Sequence, residues 1–262
     1  MKRLFISADI EGTAGIAAWK ETEDDSYFRS RMTEEVAAVC RGALSAGYDE
    51  IVIKDAHDTA RNLYPDRLPE QAKLIRDWTR NPLCMVAGVA EGFDAAAFTG
   101  YHSAGFTGGS PLAHTMSTSL ISIELNGEII SEFVISAYTC AYYGVPTVML
   151  SGDTALCDAA KSLIPGISFV ATQEGIGGAV KALHPGMVCR LIEERTKAAL
   201  SGDISACLPP LPDSFEIKIT YKNAANAYSA GFYPGAKLVS PHSVVYCSAD
   251  YYEILRFMHF CC

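Results

Sequence analysis

Short apolar segments alternate with helix-like segments along most of the chain, and this alternation limits the possible folds more than any other feature. Residues 4–8 are almost entirely apolar, as expected of a strand buried on both faces. Residues 33–46 carry apolar side chains at helical spacing and stop before Gly47, a residue suited to a helix C-terminus. Further strands are predicted at 51–53, 95–99 and 145–150, and a further helix at 153–163. This order predicts an α/β fold, in which a largely parallel sheet lies between helices in three α/β/α layers.

Two features depart from this pattern. Residues 119–125 and 128–130 flank Asn126-Gly127, a two-residue turn that strongly favours a β-hairpin. Ser131 is then a good helix N-cap, which places Glu132 in the first helical turn. Prolines near position 209 indicate a linker, followed by a predicted strand at 215–221 and helix at 250–260. We therefore expect an α/β domain over residues 1–208 and a smaller α+β portion over residues 209–262 packed on it.

Charge and cysteine content exclude several classes of protein. The chain of 262 residues has a formal net charge of −9 and no basic stripe, so we expect no nucleic-acid partner. Nine cysteines, an odd number without a Cys-x-x-Cys pair, indicate reduced thiols and a cytoplasmic protein. Near the N-terminus, Asp9 and Glu11 interrupt the apolar segment too early for a signal peptide.

Two long stretches without charged residues, 95–123 and 133–152, raise the question of a membrane span. The first is rich in Gly, Ser and Thr. The second has about the length that a bilayer requires, but Gly144 and Pro146 divide it into a helix-like half and a short β-branched segment. We therefore predict that both are buried core and that the protein has no membrane partner.

Carboxylates and imidazoles follow the predicted strands at their carboxyl ends. Asp9 and Glu11 lie two residues apart after the first strand, so an extended backbone directs both to one face. His57 follows the second strand, His102 follows the strand at 95–99, and His114 lies in a Gly- and Ser-rich loop beyond it. Each residue alone is more often a solvated surface group. Together, at strand ends that meet along one edge, they predict a catalytic site for zinc, manganese or a similar ion.

The motifs SADIEG, KDAH, TGYHS, LAHTMS, an Asn-Gly hairpin and SEFVISAY occur in this order. The pattern closely resembles the zinc-dependent D-aminopeptidase family from the first strand to about residue 200. The resemblance implies two Zn²⁺ ions per subunit, with Mn²⁺ or Co²⁺ as alternatives, in the domain at 1–208. It implies that Asp9 bridges the two ions. The implied metal ligands are Asp9, Glu11, His57, His102 and Glu132. Before Glu132 the family often has Gly, whereas this chain has Ser131, which tightens the helix start.

The resemblance also implies that His114 is the catalytic residue. The family assigns this histidine as the nucleophile. A role as general base or as stabiliser of the oxyanion is physically easier, because two metal ions already activate a water molecule. The remaining interpretation is a further metal ligand or a residue that packs the loop.

Three functional hypotheses follow. The leading one is a metallo-aminopeptidase that hydrolyses short peptides with an N-terminal D-residue, of the D-Ala type. The second keeps the dinuclear site and changes the substrate to an L-amino-terminal, γ-glutamyl or other amide. The third is a non-catalytic binding protein, which would not need His114. The resemblance further implies a homo-oligomer, a decameric ring whose internal channel admits only short peptides.

Overall fold

The computed structural model describes residues 1–23 and 26–262 of the chain. The strands are β1 (Lys2–Ala8), β2 (Tyr48–Asp55), β3 (Ala72–Ile75), β4 (Ala95–Tyr101), β5 (Leu120–Leu125), β6 (Glu128–Ile129), β7 (Thr147–Asp153), β8 (Ser168–Ile176), β9 (Ala179–Ala182), β10 (Phe215–Tyr221), β11 (Lys237–Ser240) and β12 (Ser243–Ser248). The helices are α1 (Trp19–Glu23), α2 (Ser26–Ser45), α3 (Glu132–Tyr142), α4 (Thr154–Leu163), α5 (Pro185–Ser201), α6 (Ala224–Ala230) and α7 (Tyr251–Cys261).

The larger sheet has seven strands in the order β3-β2-β1-β4-β7-β8-β9. All neighbouring strands are parallel except the β8–β9 hairpin at one edge. The central strands β1, β4 and β7 are buried along nearly their whole length, as parallel strands covered on both faces must be. This architecture confirms the predicted α/β class with a largely parallel sheet.

A second sheet is antiparallel and has five strands in the order β11-β12-β10-β5-β6. The predicted hairpin forms its β5–β6 edge, with positive φ at both Asn126 and Gly127, as the tight turn requires. This sheet combines strands from both sides of the expected boundary at 208/209. The division into residues 1–208 and 209–262 stays a prediction.

Helix α3 lies between the two sheets and contributes to both hydrophobic cores. Phe133, Ala137 and Cys140 pack into the core of the parallel sheet, whereas Ile135 packs into the core of the antiparallel sheet. The start of α3 is therefore fixed from two sides, and its first residue is Glu132.

The predicted strands and helices are present, but several are longer than the sequence pattern indicates. The predicted strand at 51–53 extends over Tyr48–Asp55, because backbone pairing with β1 continues past the apolar residues. The predicted helix at 33–46 begins at Ser26. Strand β8 was not predicted, because its polar second half resembles a loop and becomes a strand through pairing with β7 and β9. In the described part of the chain, no helix is long and apolar enough to cross a membrane.

Candidate metal centre

The strand order places the predicted site residues together. β1 lies between β2 and β4. The connection after β1 therefore leads to one side of this strand, and the later connection into β4 leads to the other side. At such a switch point the loops after neighbouring parallel strands separate and leave a crevice at their carboxyl ends. Asp9 and Glu11 follow β1, His57 follows β2 and His102 follows β4, so all four lie at this crevice.

Two glycines allow the loops after β1 and β4 to approach each other closely. A Cβ atom on Gly12 would lie 1.9 Å from the carbonyl oxygen of Tyr101, and one on Gly100 would lie 2.1 Å from that of Asp9. Gly100 also has a φ of +68°, which disfavours other residues. The Gly12 amide donates to the Gly100 carbonyl at 2.8 Å. This backbone contact brings His102 beside Asp9, and it explains a glycine in both motifs.

The geometry of the carboxylates and imidazoles divides into two groups that share Asp9. Nδ1 of His57 lies 3.3 Å from Oδ1 of Asp9 and 3.1 Å from Oε2 of Glu11. Nε2 of His102 lies 3.6 Å from Oδ2 of Asp9 and 3.3 Å from Oε2 of Glu132. In each group, Asp9–Glu11–His57 and Asp9–His102–Glu132, the three ligand atoms lie within 4.8 Å of one another. The two oxygens of Asp9 therefore face different groups.

The donor set fits metal ions. Asp9, Glu11, His102 and Glu132 are all at most 3% exposed. Oδ2 of Asp9, Oε2 of Glu11 and Nε2 of His102 are buried and have no hydrogen-bond partner among the described residues. Buried polar atoms are nearly always paired, so these three atoms in one cluster fit a site that binds a cation. Three carboxylates, without a thiolate, together with imidazoles are suitable ligands for Zn²⁺ at a catalytic site.

The pKa values in this cluster show how strongly it attracts positive charge. Burial lowers the pKa of His57, but the charge of Glu11 and the close contact with Asp9 outweigh burial and raise it to about 11. For His102, burial has the same lowering effect, and the charge of Glu132 again outweighs it and raises the pKa. Burial and the neighbouring charge of Glu11 raise the pKa of Asp9 well above its usual range. The site therefore holds protons strongly, as an anionic pocket built for cations would.

Hydrogen bonds outside the cluster orient His102. Its Nδ1 lies 2.9 Å from the carbonyl oxygen of Ser103, which can only accept, so Nδ1 carries a proton and Nε2 faces the carboxylates of the cluster. Asp153, at the end of β7, accepts from the amide and the hydroxyl of Ser103, both at 2.6 Å. Sequence reasoning missed this role of Asp153. The sequence did contain a signal for Asp153, because a carboxylate directly follows an apolar strand there, as it does at Asp9.

The loop that carries His57 is fixed by Asp55. The Asp55 carboxylate accepts from the amides of Asn62 at 2.6 Å and Leu63 at 2.8 Å. The side-chain amide of Asn62 donates to the carbonyl of His57 at 2.7 Å. Although it is close in sequence to a predicted ligand, Asp55 thus holds the loop in place.

His114 lies at the same cluster with a free ring nitrogen. Its Nδ1 lies 3.0 Å from the carbonyl oxygen of Leu112, which leaves Nε2 with a lone pair, 3.6 Å from Oε1 of Glu132. The ring stacks on His102 with centroids 4.3 Å apart, and Trp19 contacts its edge. Glu11, His102 and His114 also form a group within ligand distance. The geometry thus permits both a catalytic role and a ligand role for His114.

A cavity of about 450 Å³ opens onto the cluster. Its wall includes Asp9, Glu11, His57, His114 and Glu132 from the cluster, together with Trp19 and Trp78. A cavity of this size accommodates a small ligand and excludes a folded protein. The arrangement suits hydrolysis of a small molecule beside metal ions.

Comparisons with known proteins agree with this geometry. The family model of the M55 peptidases, described as D-aminopeptidases, matches residues 1–260. A D-aminopeptidase of Bacillus subtilis (strain 168) is 32% identical over 242 residues, which cover 90% of this chain and 87% of the relative. The solved structure of the Zn-dependent D-aminopeptidase DppA from Bacillus subtilis, described as a self-compartmentalizing protease, has a TM-score of 0.88 and 29% identity. That similarity covers 98% of this chain and 95% of the other. The chain is therefore a member of the D-aminopeptidase family of metallopeptidases.

Proposed function

We propose that the protein is an aminopeptidase that removes the N-terminal D-residue from short peptides, using two zinc ions held by Asp9, Glu11, His57, His102 and Glu132. The observation that carries this proposal is the position of Asp9, whose two oxygens face two separate groups of ligands. A shared carboxylate suits a pair of metal ions about 3.5–4 Å apart. When bound, zinc ions supply Lewis acidity to the scissile carbonyl and lower the pKa of water.

In this proposal His114 transfers the proton. Its Nε2 carries a lone pair and lies at the cavity next to Glu11 and Glu132. As water adds to the carbonyl carbon, Nε2 accepts a proton from it. When the C–N bond breaks, the same nitrogen returns a proton to the leaving amine. The stacked ring of His102 and the edge of Trp19 keep the imidazole in this orientation.

Metal content and stereochemistry test the proposal together. We expect about two divalent ions per chain in protein purified without chelator, and hydrolysis of D-Ala-D-Ala at a much higher rate than of L-Ala-L-Ala. Removal of metal by a chelator should abolish turnover, and added Zn²⁺ should restore it. Fewer than one ion per chain would contradict the dinuclear site. Preference for L-peptides or γ-glutamyl amides would keep the metal site and change the substrate.

We also propose a homo-oligomer, a decamer by resemblance to the family, whose active sites face an enclosed space. A group of exposed apolar side chains on the C-terminal part supports this. We call it the C-terminal apolar patch: Tyr228, Phe232, Leu238, Val239 and Phe260. The rings of Tyr228 and Phe232 are in contact, and Gly231 packs beside Leu238. Contiguous exposed apolar surface of this kind is typical of protein interfaces. Light scattering that gives the mass of a monomer would contradict the proposal.

We further propose that the protein resides in the cytoplasm. All nine cysteines are free thiols, and several of them are buried in the cores. Burial raises the pKa of the Cys40 and Cys140 thiols to about 12, which keeps them protonated and unreactive. A reducing compartment suits such a chain. Thiol titration of the denatured, unreduced protein should find about nine reactive groups.

A further inference from the structure

An apolar pocket lies directly beside the cavity of the metal centre. It has a volume of about 170 Å³, and Met85, Val86, Met116, Ile135, Leu255 and Met258 form most of its apolar wall. Met85, Met116 and Cys84 also line the cavity of the metal centre. The two cavities are therefore adjacent, and those three residues lie between them.

Helix α3 extends from one site into the other. Glu132, its first residue, lies at the metal centre, and Ile135, Ser136 and Thr139 line the apolar pocket. Positions three, four and seven residues apart lie on one face of a helix. Seven residues span about 10 Å along the helix axis. The pocket thus lies within the reach of a side chain on a peptide whose backbone is at the metal centre.

The wall between the two sites is held in place by contacts to the metal centre and the parallel sheet. The Met116 amide donates to Oε1 of Glu132 at 2.6 Å, and the Met85 carbonyl accepts from the hydroxyl of Ser7 in β1 at 2.7 Å. Met116 and Cys84 both adopt a left-handed backbone, with φ of +65° and +46°. Such conformations are costly outside glycine and cluster at ligand sites. Both residues therefore fix the backbone of this wall in an unusual conformation.

The chemistry of the wall selects an apolar group. Among its polar members, Thr139 already donates its hydroxyl to the carbonyl of Ile135 at 2.8 Å. Methionine side chains are flexible and polarisable, so they adapt to apolar groups of different shape. An engineered apolar cavity of about 150 Å³ in another protein binds benzene. A volume of about 170 Å³ therefore suits a side chain of the size of leucine, methionine or phenylalanine.

We propose that this pocket is a specificity subsite, which receives one apolar side chain of the peptide substrate. The inference rests on the proposed aminopeptidase function. It extends that function from D-Ala peptides to peptides in which one residue, the N-terminal one or the next, is large and apolar. The wall is mainly apolar, so a charged side chain would lose most of its hydration there and is disfavoured.

The test compares peptide substrates and variants of Met258, which lies on α7 outside the metal centre. The substrates are D-Ala-D-Ala, D-Leu-D-Ala, D-Ala-D-Leu and the corresponding D-Lys peptides. We expect one of the two leucine peptides to exceed D-Ala-D-Ala by about 10–200-fold in kcat/KM, which identifies the residue that enters the pocket. Met258→Trp narrows the pocket and should remove this advantage, so that the kcat/KM of the leucine peptide falls to that of D-Ala-D-Ala measured on the same variant.

Met258→Ala widens the pocket and should shift the preference towards D-Phe, so the proposal remains testable if the tryptophan variant does not fold. Met32→Ala is the matched control, because Met32 is a buried methionine of α2 in the other core, outside both cavities. Equal changes for all substrates, or the same ratios in the Met258 and Met32 variants, would overturn the subsite. No hydrolysis of any peptide by the wild type would instead overturn the proposed function and the subsite with it.

Discussion

The two sheets of this protein bury their apolar residues in different ways, and the carboxylates and imidazoles of the site cluster at the edge of only one of them. In the parallel sheet, the strands that supply Asp9, His57 and His102 end at the same edge, although the residues are far apart in sequence. In the antiparallel sheet, successive strands end at opposite edges. In the described part of the chain, the groups of residues whose ligand atoms lie close enough to share a metal ion are all at the edge of the parallel sheet and at α3.

This difference shows how topology produces a reactive site. Parallel strands place all their carboxyl ends on one side, so each new strand can add a ligand to the same crevice. Antiparallel strands cannot do this, and here they pack against α3, whose first residue, Glu132, completes the cluster. The antiparallel part instead presents the C-terminal apolar patch to the outside. Four predictions test this division of roles, in order of decreasing effect on turnover.

The largest effect is expected for Asp9→Asn, because Asp9 belongs to both ligand groups. Asparagine keeps the shape but loses the charge and one of the two oxygens, so the proposed bridge between two ions would be lost. We expect fewer than two ions per chain and a loss of turnover of at least about 10⁴-fold, beyond the 10²–10⁴ of a single proton-transfer group. Metal analysis and D-Ala-D-Ala hydrolysis check this. Asp58→Asn is the control, since Asp58 lines the same cavity outside the ligand groups.

His114→Ala should separate chemistry from metal binding. If Nε2 of His114 transfers the proton, the variant keeps its metal and its melting temperature and loses about 10²–10⁴ in turnover. All three quantities can be measured on one preparation. Loss of an ion would make His114 a ligand, in agreement with its position near Glu11 and His102. Near-normal turnover would show that the carboxylates and the other imidazoles at the edge of the sheet are sufficient for catalysis without His114.

Much of the parallel sheet could be predicted from the sequence, because buried parallel strands are continuous apolar segments such as residues 95–99. The antiparallel sheet was harder, since its strand β11 is exposed along its whole length and both β11 and β12 form by pairing between strands. At the site, the strand ends indicated Asp9, Glu11, His57 and His102. Asp153 and the Met116 amide support the site through hydrogen bonds to residues 50 and 16 positions away in the sequence. No local sequence pattern indicates such contacts.

The third prediction concerns the antiparallel part. Phe232 is 72% exposed in the C-terminal apolar patch. In Phe232→Asp a carboxylate would have to be buried in an interface, so we expect a smaller assembly by light scattering. Turnover of a dipeptide per chain should change less than about tenfold, because the metal centre lies on the other sheet. Ile176→Asp, at an exposed position of β8, is the matched control. Dissociation by Ile176→Asp alone would reverse the assignment of the interface.

The smallest effect on turnover is expected for Glu35→Gln, within about twofold, because Glu35 lies outside the ligand groups of the metal centre. Its carboxyl is 2% exposed and accepts from the Ala14 amide at 3.1 Å, in the loop that follows Glu11. Burial raises its pKa to about 8, although the Ala14 amide and Arg31 act in the opposite direction. Unlike Glu11 and Glu132, whose pKa values the neighbouring imidazoles lower, Glu35 remains protonated near neutral pH.

The sign of the pH dependence follows from this pKa. Between the usual pKa of 4.5 and the folded value of about 8, the folded chain holds one proton more than the unfolded chain at Glu35. The free energy of unfolding therefore falls as pH rises through this window, by up to about 1.4 kcal/mol per pH unit. Glutamine is neutral at every pH and removes this contribution. Urea unfolding at pH 5, 6.5 and 8 should give a steeper decline for the wild type than for Glu35→Gln. Parallel curves for wild type and Glu35→Gln would show that the folded protein ionises Glu35 as readily as the unfolded chain.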